Sequence, residues 1–171
     1  MIGELSGDYG TMGPARLWYH GTWLAHRGDR VNLAKVEGAL VRLRAEIDDP
    51  LTRSTANAIG ARLALLDGDT AGAIALLRGV SPVGGFAGIE WGVQPPFGGE
   101  QLLLAELLLA RGEAEEAIRI AGRLDHPAPI IYLVFLRSSL ELRLRAARLL
   151  GNTRLTSEFE SRLTRLTQPV L

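Results

Sequence analysis

Apolar residues recur three and four positions apart along most of the chain, and polar residues fill many of the positions between them. This spacing places apolar side chains on one face of an α-helix, and no segment shows convincing strand alternation. Leu133, Leu136, Leu140 and Leu144 are an example. The pattern predicts eight helices, over residues 15–26, 31–47, 52–66, 70–78, 100–110, 114–124, 129–149 and 153–167.

Four breaks between the predicted helices have the same chemistry: Gly28-Asp29, Gly68-Asp69, Gly112-Glu113 and Gly151-Asn152. Glycine adopts the left-handed conformation that ends a helix, and the next side chain can accept hydrogen bonds from the first amides of the following helix. Each pair therefore predicts the hinge of a helical hairpin, and Glu113 is expected to cap and solubilise its helix start. The glycines lie 40, 44 and 39 residues apart, a spacing typical of two-helix repeats.

Small residues flank the hinges at fixed offsets. Gly21, Ala61 and Ala105 stand seven residues before a hinge glycine, and Ala73 and Ala117 stand five residues after one. In these residues the segments "AIGARLALLDGDTAGAIALL" and "LLLAELLLARGEAEEAIRIA" resemble the tetratricopeptide repeat family. The resemblance covers residues 15–167, and it is strong in the second and third units and weaker in the first and fourth. Because the period exceeds the family's usual length of about 34 residues, the chain resembles a divergent relative.

The resemblance implies an all-α fold of about four antiparallel hairpins, stacked as a tetratricopeptide-like solenoid. A single domain is expected over residues 15–171, and the glycine-rich start of the sequence predicts a flexible segment over residues 1–14. Such a stack leaves a groove lined by the first helix of each hairpin, which implies a noncatalytic scaffold that binds a peptide or a neighbouring domain. The implied groove residues are Trp18, Thr22, His26, Arg62, Glu106, Glu141, Arg145 and Arg148.

A second resemblance concerns the C-terminal half. The segments "LLLARGEAEEAIRIAGRLDHP" and "LRSSLELRLRAARLLGN" are similar to C-terminal repeat regions of large bacterial serine/threonine kinases and transcriptional regulators. This similarity implies that the partner could be an upstream domain of the same polypeptide. It also leaves open a regulatory domain that binds a small ligand. The chain carries neither the glycine-rich loop nor the His-Arg-Asp motif of a kinase.

One long connection interrupts the predicted helices, over residues 79–99, and it is rich in glycine and proline. Loops longer than about 12–15 residues are uncommon unless they are functional or disordered. Its aromatic residues, Phe86, Trp91 and Phe97, either cover helix ends or belong to a binding loop. In the second interpretation the loop presents Glu90, Trp91 and Gln94 to a partner.

Composition narrows the function classes. The chain has 19 basic and 19 acidic residues, so no net charge attracts it to nucleic acid or to an anionic membrane. It contains no cysteine, which excludes disulfides and thiolate metal sites. No apolar run approaches the roughly 20 residues that a membrane-spanning helix needs, and the start lacks the pattern of a signal peptide. A cytoplasmic protein without a membrane partner is expected.

Two sets of polar residues remain as candidates. Residues 126–171 contain seven arginines against three glutamates, and Arg137, Glu141 and Arg145 follow the i, i+4 spacing of a salt-bridged face. Weak nucleic-acid binding is the alternative interpretation of these arginines, although nucleic acid is not the expected partner. His20 and His26 are six residues apart and so cannot face one metal ion from a helix. The sequence does not bring catalytic acids, bases or metal-ligating side chains together at one place. Neither an enzyme nor a metal or cofactor site is therefore expected.

Overall fold

The structure, a computed structural model, describes residues 12–81, 97–125 and 130–167. Within these ranges all regular structure is helical. The α-helices are α1 (Pro14–His26), α2 (Arg30–Glu46), α3 (Pro50–Leu66), α4 (Thr70–Arg78), α5 (Gly98–Ala110), α6 (Ala114–Gly122), α7 (Leu136–Leu149) and α8 (Thr153–Thr167). Two short 3₁₀ helices, Arg123–Asp125 and Ile130–Phe135, lie between α6 and α7. The predicted all-α class is confirmed for the described residues.

The largest departure from the predicted elements is at the start of α7. The periodicity predicts one helix over residues 129–149, but α7 begins at Leu136, and Ile130–Phe135 forms a 3₁₀ helix. The segment reads IIYLVF, so five of its six residues are β-branched or aromatic. Such side chains lose rotamer freedom in an α-helix and weaken its preference for that form. The prediction of a continuous helix here is therefore wrong.

The hinges share one backbone geometry. All four hinge glycines have positive φ angles, between 64° and 82°. At the first hinge the Asp29 amide donates to the Leu24 carbonyl at 3.0 Å and the Gly28 amide to the Ala25 carbonyl at 3.1 Å. The other three hinges repeat this pair of bonds at the same offsets. This is the Schellman motif, in which a left-handed residue satisfies the last carbonyls of a helix.

The residue after the hinge glycine caps the next helix at three of the four hinges. Asp29, Asp69 and Asn152 accept a hydrogen bond from the amide three residues later, at 3.2, 2.8 and 3.1 Å. Glu113 makes no such cap and instead pairs with Arg111 at 3.0 Å. Glutamate is a poorer cap than aspartate, since its longer side chain carries the carboxylate past the helix amides. The predicted capping role of Glu113 is therefore wrong.

Contacts divide the chain into two compact units. Unit 1 contains α1 to α4, and in it α3 packs against α1, α2 and α4. Unit 2 contains α5 to α8, and in it α7 packs against α6 and α8 and also contacts α5. The small residues next to the hinges are buried in both units, namely Gly21, Ala61, Ala73, Ala105 and Ala117. A continuous solenoid of four hairpins stays a prediction.

Gly21 allows α1 to approach both neighbours in unit 1. A Cβ atom at this position would lie 2.7 Å from Cδ1 of Ile59 and 3.2 Å from Cγ1 of Val36. We expect Gly21→Ala to lower the free energy of unfolding by about 1 kcal/mol, since the overpacking outweighs the gain in helix propensity. Gly38 of α2 is the matched control, because its nearest contact would be Arg42 at 3.8 Å.

Urea unfolding of both variants and of the original protein measures the change in the free energy of unfolding that each substitution causes. Gly38→Ala is expected to raise the free energy of unfolding by about 0.5–1 kcal/mol through helix propensity alone. Equal stabilisation by the two substitutions would contradict the proposed close approach at Gly21.

Candidate functional site

An open groove in unit 2 brings together three of the residues that the sequence suggests for binding. It lies between α5 and α7 and has a volume of about 510 Å³. Glu106, Arg145 and Arg148 are the predicted residues in its lining. The lining is completed by Leu109, Ala110 and Leu149. We call this feature the α5–α7 groove.

Ion pairs fix the charged side chains of the groove. Arg145 Nη2 donates to both carboxylate oxygens of Glu106, at 2.6 and 2.8 Å, and so joins α7 to α5. Arg148 Nη2 donates to Glu160 of α8 at 2.7 Å. All four side chains are about half exposed, so the pairs remain accessible to a partner. Each guanidinium also keeps further N–H donors in its planar fork.

Leucine gives the groove an apolar component. Leu149 is 70% exposed, and Leu109 is partly buried on the facing helix. An exposed leucine is ordinary by itself, but this one lines a groove together with two arginines that form ion pairs. Burying its side chain under a partner would be worth roughly 25 cal/mol per Å² of apolar surface. The lining of the groove therefore combines an apolar anchor position with charged groups.

Glu141 lies on α7, outside the lining of the groove. It accepts a hydrogen bond from Arg137 at 2.9 Å, four residues earlier on the same helix. This is the i, i+4 pair that the sequence predicts. Both side chains are at least half exposed, so the pair contributes little to stability.

The four groove candidates of unit 1 have different environments. His26 is exposed at the end of α1, and Thr22 and Arg62 are partly buried. Trp18 is only 8% exposed, and it packs edge-on against Tyr19 with ring centroids 4.7 Å apart. The expectation that Trp18 presents its ring to a partner is therefore corrected: burial makes it a packing residue. The exposed large aromatic residues of α1 are Tyr19 and Trp23.

The predicted loop site at Glu90, Trp91 and Gln94 lies outside the described residues. From the 79–99 segment the structure describes both ends. Gly79 ends α4, and Gly98 begins α5. Phe97 is fully buried and has a φ of 51°, which is rare for a residue with a side chain. Burial of Phe97 agrees with the interpretation that aromatic residues of this segment pack against the protein.

Most arginines of the C-terminal region are paired with acids of unit 2. Five of its seven arginines form such pairs within the described residues. The pairs are Arg137–Glu141, Arg143–Asp125, Arg145–Glu106, Arg148–Glu160 and Arg162–Asp125. The local positive charge is therefore largely compensated, and this compensation disfavours a phosphate-binding surface.

Asp125 is the centre of a partly buried network that the sequence interpretation missed. Its carboxylate accepts hydrogen bonds from Arg143 at 2.6 and 2.9 Å and from Arg162 at 2.7 Å. The Arg143 side chain is 5% exposed, and its guanidinium lies 4.9 Å from the centre of the Phe159 ring. Burial alone would raise the pKa of Asp125, but the hydrogen bonds from Arg143 and Arg162 outweigh it and lower that pKa. The network holds α7, α8 and the 3₁₀ helix at Asp125 together.

The described residues contain neither a metal-binding cluster of side chains nor a membrane-spanning helix. No three side chains among the histidine, aspartate and glutamate residues there are arranged to hold a metal ion. No helix in the described ranges is both long and apolar enough to cross a membrane.

Comparisons with known proteins do not extend this description. No family model, no curated protein and no solved structure matches the chain significantly. The likeness to tetratricopeptide repeats therefore rests on the hinge glycines and the small residues of this sequence, and it remains a resemblance.

Proposed function

We propose that the chain is a noncatalytic interaction module that binds a peptide segment in the α5–α7 groove. The observation that carries the proposal is Leu149, whose largely exposed apolar side chain lines the groove together with Arg145 and Arg148, each of which is paired with a glutamate. Interfaces of proteins commonly place an apolar anchor at the centre and charged groups around it. The segment comes from a separate protein or from a neighbouring domain of the same polypeptide.

The chemistry of the groove defines the segment that it would accept. An apolar side chain would pack against Leu149 and Leu109, where it removes both leucines from water. A carboxylate next to that side chain would bind the remaining N–H donors of Arg145 or Arg148. We therefore expect a segment with one large apolar residue near an aspartate or glutamate.

Selection from a phage-displayed library of random peptides tests the proposal. Enriched sequences are expected to combine an apolar residue with an acidic one. Leu149→Asp is expected to weaken binding of the selected peptides by about tenfold or more, because it places a charge where the apolar anchor packs. Arg145→Glu is expected to act in the same direction through repulsion of the acidic residue. Fluorescence anisotropy of labelled peptides measures both effects.

Val134→Asp is the matched control. Val134 is an exposed apolar residue of the same unit and does not line the groove. Binding of the selected peptides should survive this substitution, and circular dichroism should show folded protein for all three variants. Peptides that bind Leu149→Asp and Arg145→Glu as tightly as the original protein would show that the groove is not the binding site.

A further inference from the structure

Positions counted back from the hinge glycines identify matching faces on α1, α3 and α7. Positions 12, 9 and 5 residues before the hinge glycine lie on one side of the first helix of a hairpin. On α3 this side packs against α1, since Ile59 lies beside Gly21, and on α7 it packs against α6, since the Ser139 hydroxyl donates to the Ala121 carbonyl at 2.8 Å. Its residues there are buried or partly buried: Ala56, Ile59 and Leu63 on α3, and Ser139, Leu142 and Ala146 on α7.

On α1 the same positions are exposed and carry large side chains. They are Arg16, Tyr19 and Trp23, and the two aromatic residues are 47% and 43% exposed. Arg27 continues this side of the helix, with its guanidinium 4.8 Å from the centre of the Trp23 ring. We call these four residues the α1 face. Exposed tyrosine, tryptophan and arginine together are the side chains that contribute most to protein interfaces.

Neighbouring side chains hold the indole of Trp23 in place. The His20 ring stacks against it with centroids 5.8 Å apart, and Arg27 contacts the ring as well. Binding of a partner at Trp23 therefore restricts few further side-chain rotamers of this face, which lowers the entropic cost of binding. The same two contacts leave less of the ring face for stacking of a nucleobase.

The charge of the α1 face is positive. Helix α1 contains no acidic residue, and Arg16 and Arg27 form no ion pair with any described residue. The nearby carboxylate of Asp29 caps α2 and also interacts electrostatically with Arg27, so it offsets part of the positive charge at that end of the face. Burial lowers the pKa of His20, against a smaller opposing effect of Asp29, so the positive charge comes from the arginines. Arg16 and Arg27 are about 16 Å apart along the helix axis, and an acidic partner would satisfy both.

An open depression adjoins one end of the α1 face. It has a volume of about 400 Å³ and is lined by Gly13, Pro14, Ala15, Arg16, Tyr19 and Leu51. Apart from the Arg16 head group and the Tyr19 hydroxyl, these side chains are apolar. An apolar side chain of a partner would fit beside Tyr19, with its acidic neighbour on Arg16.

We infer that the α1 face docks an amphipathic helix of a partner protein, with an apolar stripe flanked by acidic residues. A helix is the expected shape, because residues of helices α1 and α6 contact the corresponding faces of α3 and α7. A second copy of the chain is disfavoured, since a two-fold pairing of α1 faces would oppose arginine to arginine. This inference concerns unit 1 and does not depend on the proposed function of the α5–α7 groove.

Two synthetic helical peptides of about 18 residues test the inference, a length sufficient for some helix in water. One has a leucine stripe flanked by glutamates, and the other replaces every glutamate with lysine. Isothermal titration calorimetry is expected to show binding of the glutamate peptide alone. Trp23→Ala and the double variant R16E/R27E should each weaken that binding about tenfold or more. All titrations use the Leu149→Asp protein, because the α5–α7 groove is expected to accept the same combination of leucine and glutamate; the measured binding is then that of the α1 face. Val134→Asp, at an exposed residue of the other unit, should leave this binding unchanged.

Several results would overturn the inference. They are equal binding of the lysine peptide, absence of binding, and binding that survives both Trp23→Ala and R16E/R27E. Tighter binding of a single-stranded oligonucleotide that is lost in R16E/R27E would assign the face to nucleic acid instead. A dimer of the original protein in analytical ultracentrifugation, together with a monomer for Trp23→Ala, would assign the α1 face to self-association. Tyr19→Ala provides a second test if Trp23→Ala unfolds the protein.

Discussion

Replacing Asp125 with alanine is expected to lower the free energy of unfolding of unit 2 by about 3–5 kcal/mol. The substitution removes the acceptor of Arg143, whose side chain is almost completely buried between α7 and the Phe159 ring. A buried guanidinium without its partner carries the full cost of its lost hydration. Arg162 would lose its acceptor as well, and with it the contact that joins α8 to the rest of the network.

Hydrogen exchange of the α7 amides in increasing urea measures this effect within unit 2. Arg137→Ala is the control, since it breaks an exposed pair of the same helix and should cost at most about 0.5 kcal/mol. The double variant D125A/R143M should recover much of the loss, because it removes the buried charge together with its partner. A loss in Asp125→Ala no larger than that in Arg137→Ala would contradict the role of the network.

The pH dependence of the free energy of unfolding of unit 2 provides an independent check on the same network. Since the hydrogen bonds with Arg143 and Arg162 lower the pKa of Asp125 in the folded state, the unfolded state binds its proton more readily. The resulting stabilisation is complete above the unfolded pKa of about 3.9, and it is lost as the pH falls through the folded pKa. Asp125→Asn should remove this part of the acid dependence.

Gly98→Ala is expected to destabilise unit 2 by about 2–3 kcal/mol, near the upper end of the usual cost of overpacking. A Cβ atom at Gly98 would lie 2.6 and 2.7 Å from two carbons of the Phe135 ring and 3.3 Å from the Tyr132 ring. Because an aromatic ring cannot bend away as the end of an aliphatic chain can, the 3₁₀ helix that carries both rings would have to shift.

Gly99→Ala is the matched control for this substitution. A Cβ atom at Gly99 would meet the Phe135 ring only at 3.9 Å, an ordinary contact distance. The control should be neutral or slightly stabilising, because alanine favours the helix. Thermal unfolding followed by circular dichroism compares the two variants, and similar melting temperatures would contradict the close approach of Phe135 to α5.

The hinges were predictable from sequence because their physics is local. A left-handed glycine and the cap that follows it act within six residues, so the pattern at Gly68-Asp69 predicts both the end of α3 and the start of α4. The helices followed from apolar spacing for the same reason. Ile130–Phe135 departed from the prediction because apolar spacing does not distinguish an α-helix from a 3₁₀ helix.

The Asp125 network could not be read from local patterns, since Arg143 and Arg162 lie 18 and 37 residues from Asp125. One signal was nevertheless present. Arg143 stands on the apolar stripe of α7, three residues after Leu140 and four before Ala147, both of which are buried. An arginine at a core position indicates a buried acidic partner, although it does not say which acid.

The groove was partly predictable. The offsets from the hinges placed Glu106 and Arg145 on facing helices, and the structure joins them directly. The same offsets could not show that Trp18 is buried while Trp23 is exposed. A helix with apolar and aromatic residues on several sides allows more than one orientation against its neighbours.

The Schellman hinges also set an expectation for folding kinetics. Each hinge joins two helices through three residues, such as Arg27, Gly28 and Asp29 between α1 and α2. Closing so short a connection costs little chain entropy, and helices that meet across it make contacts between residues close in sequence. Helical proteins with mainly local contacts fold in microseconds to milliseconds. Each hairpin is therefore expected to form early, and the contacts of α3 with α1 and of α7 with α5 to form later.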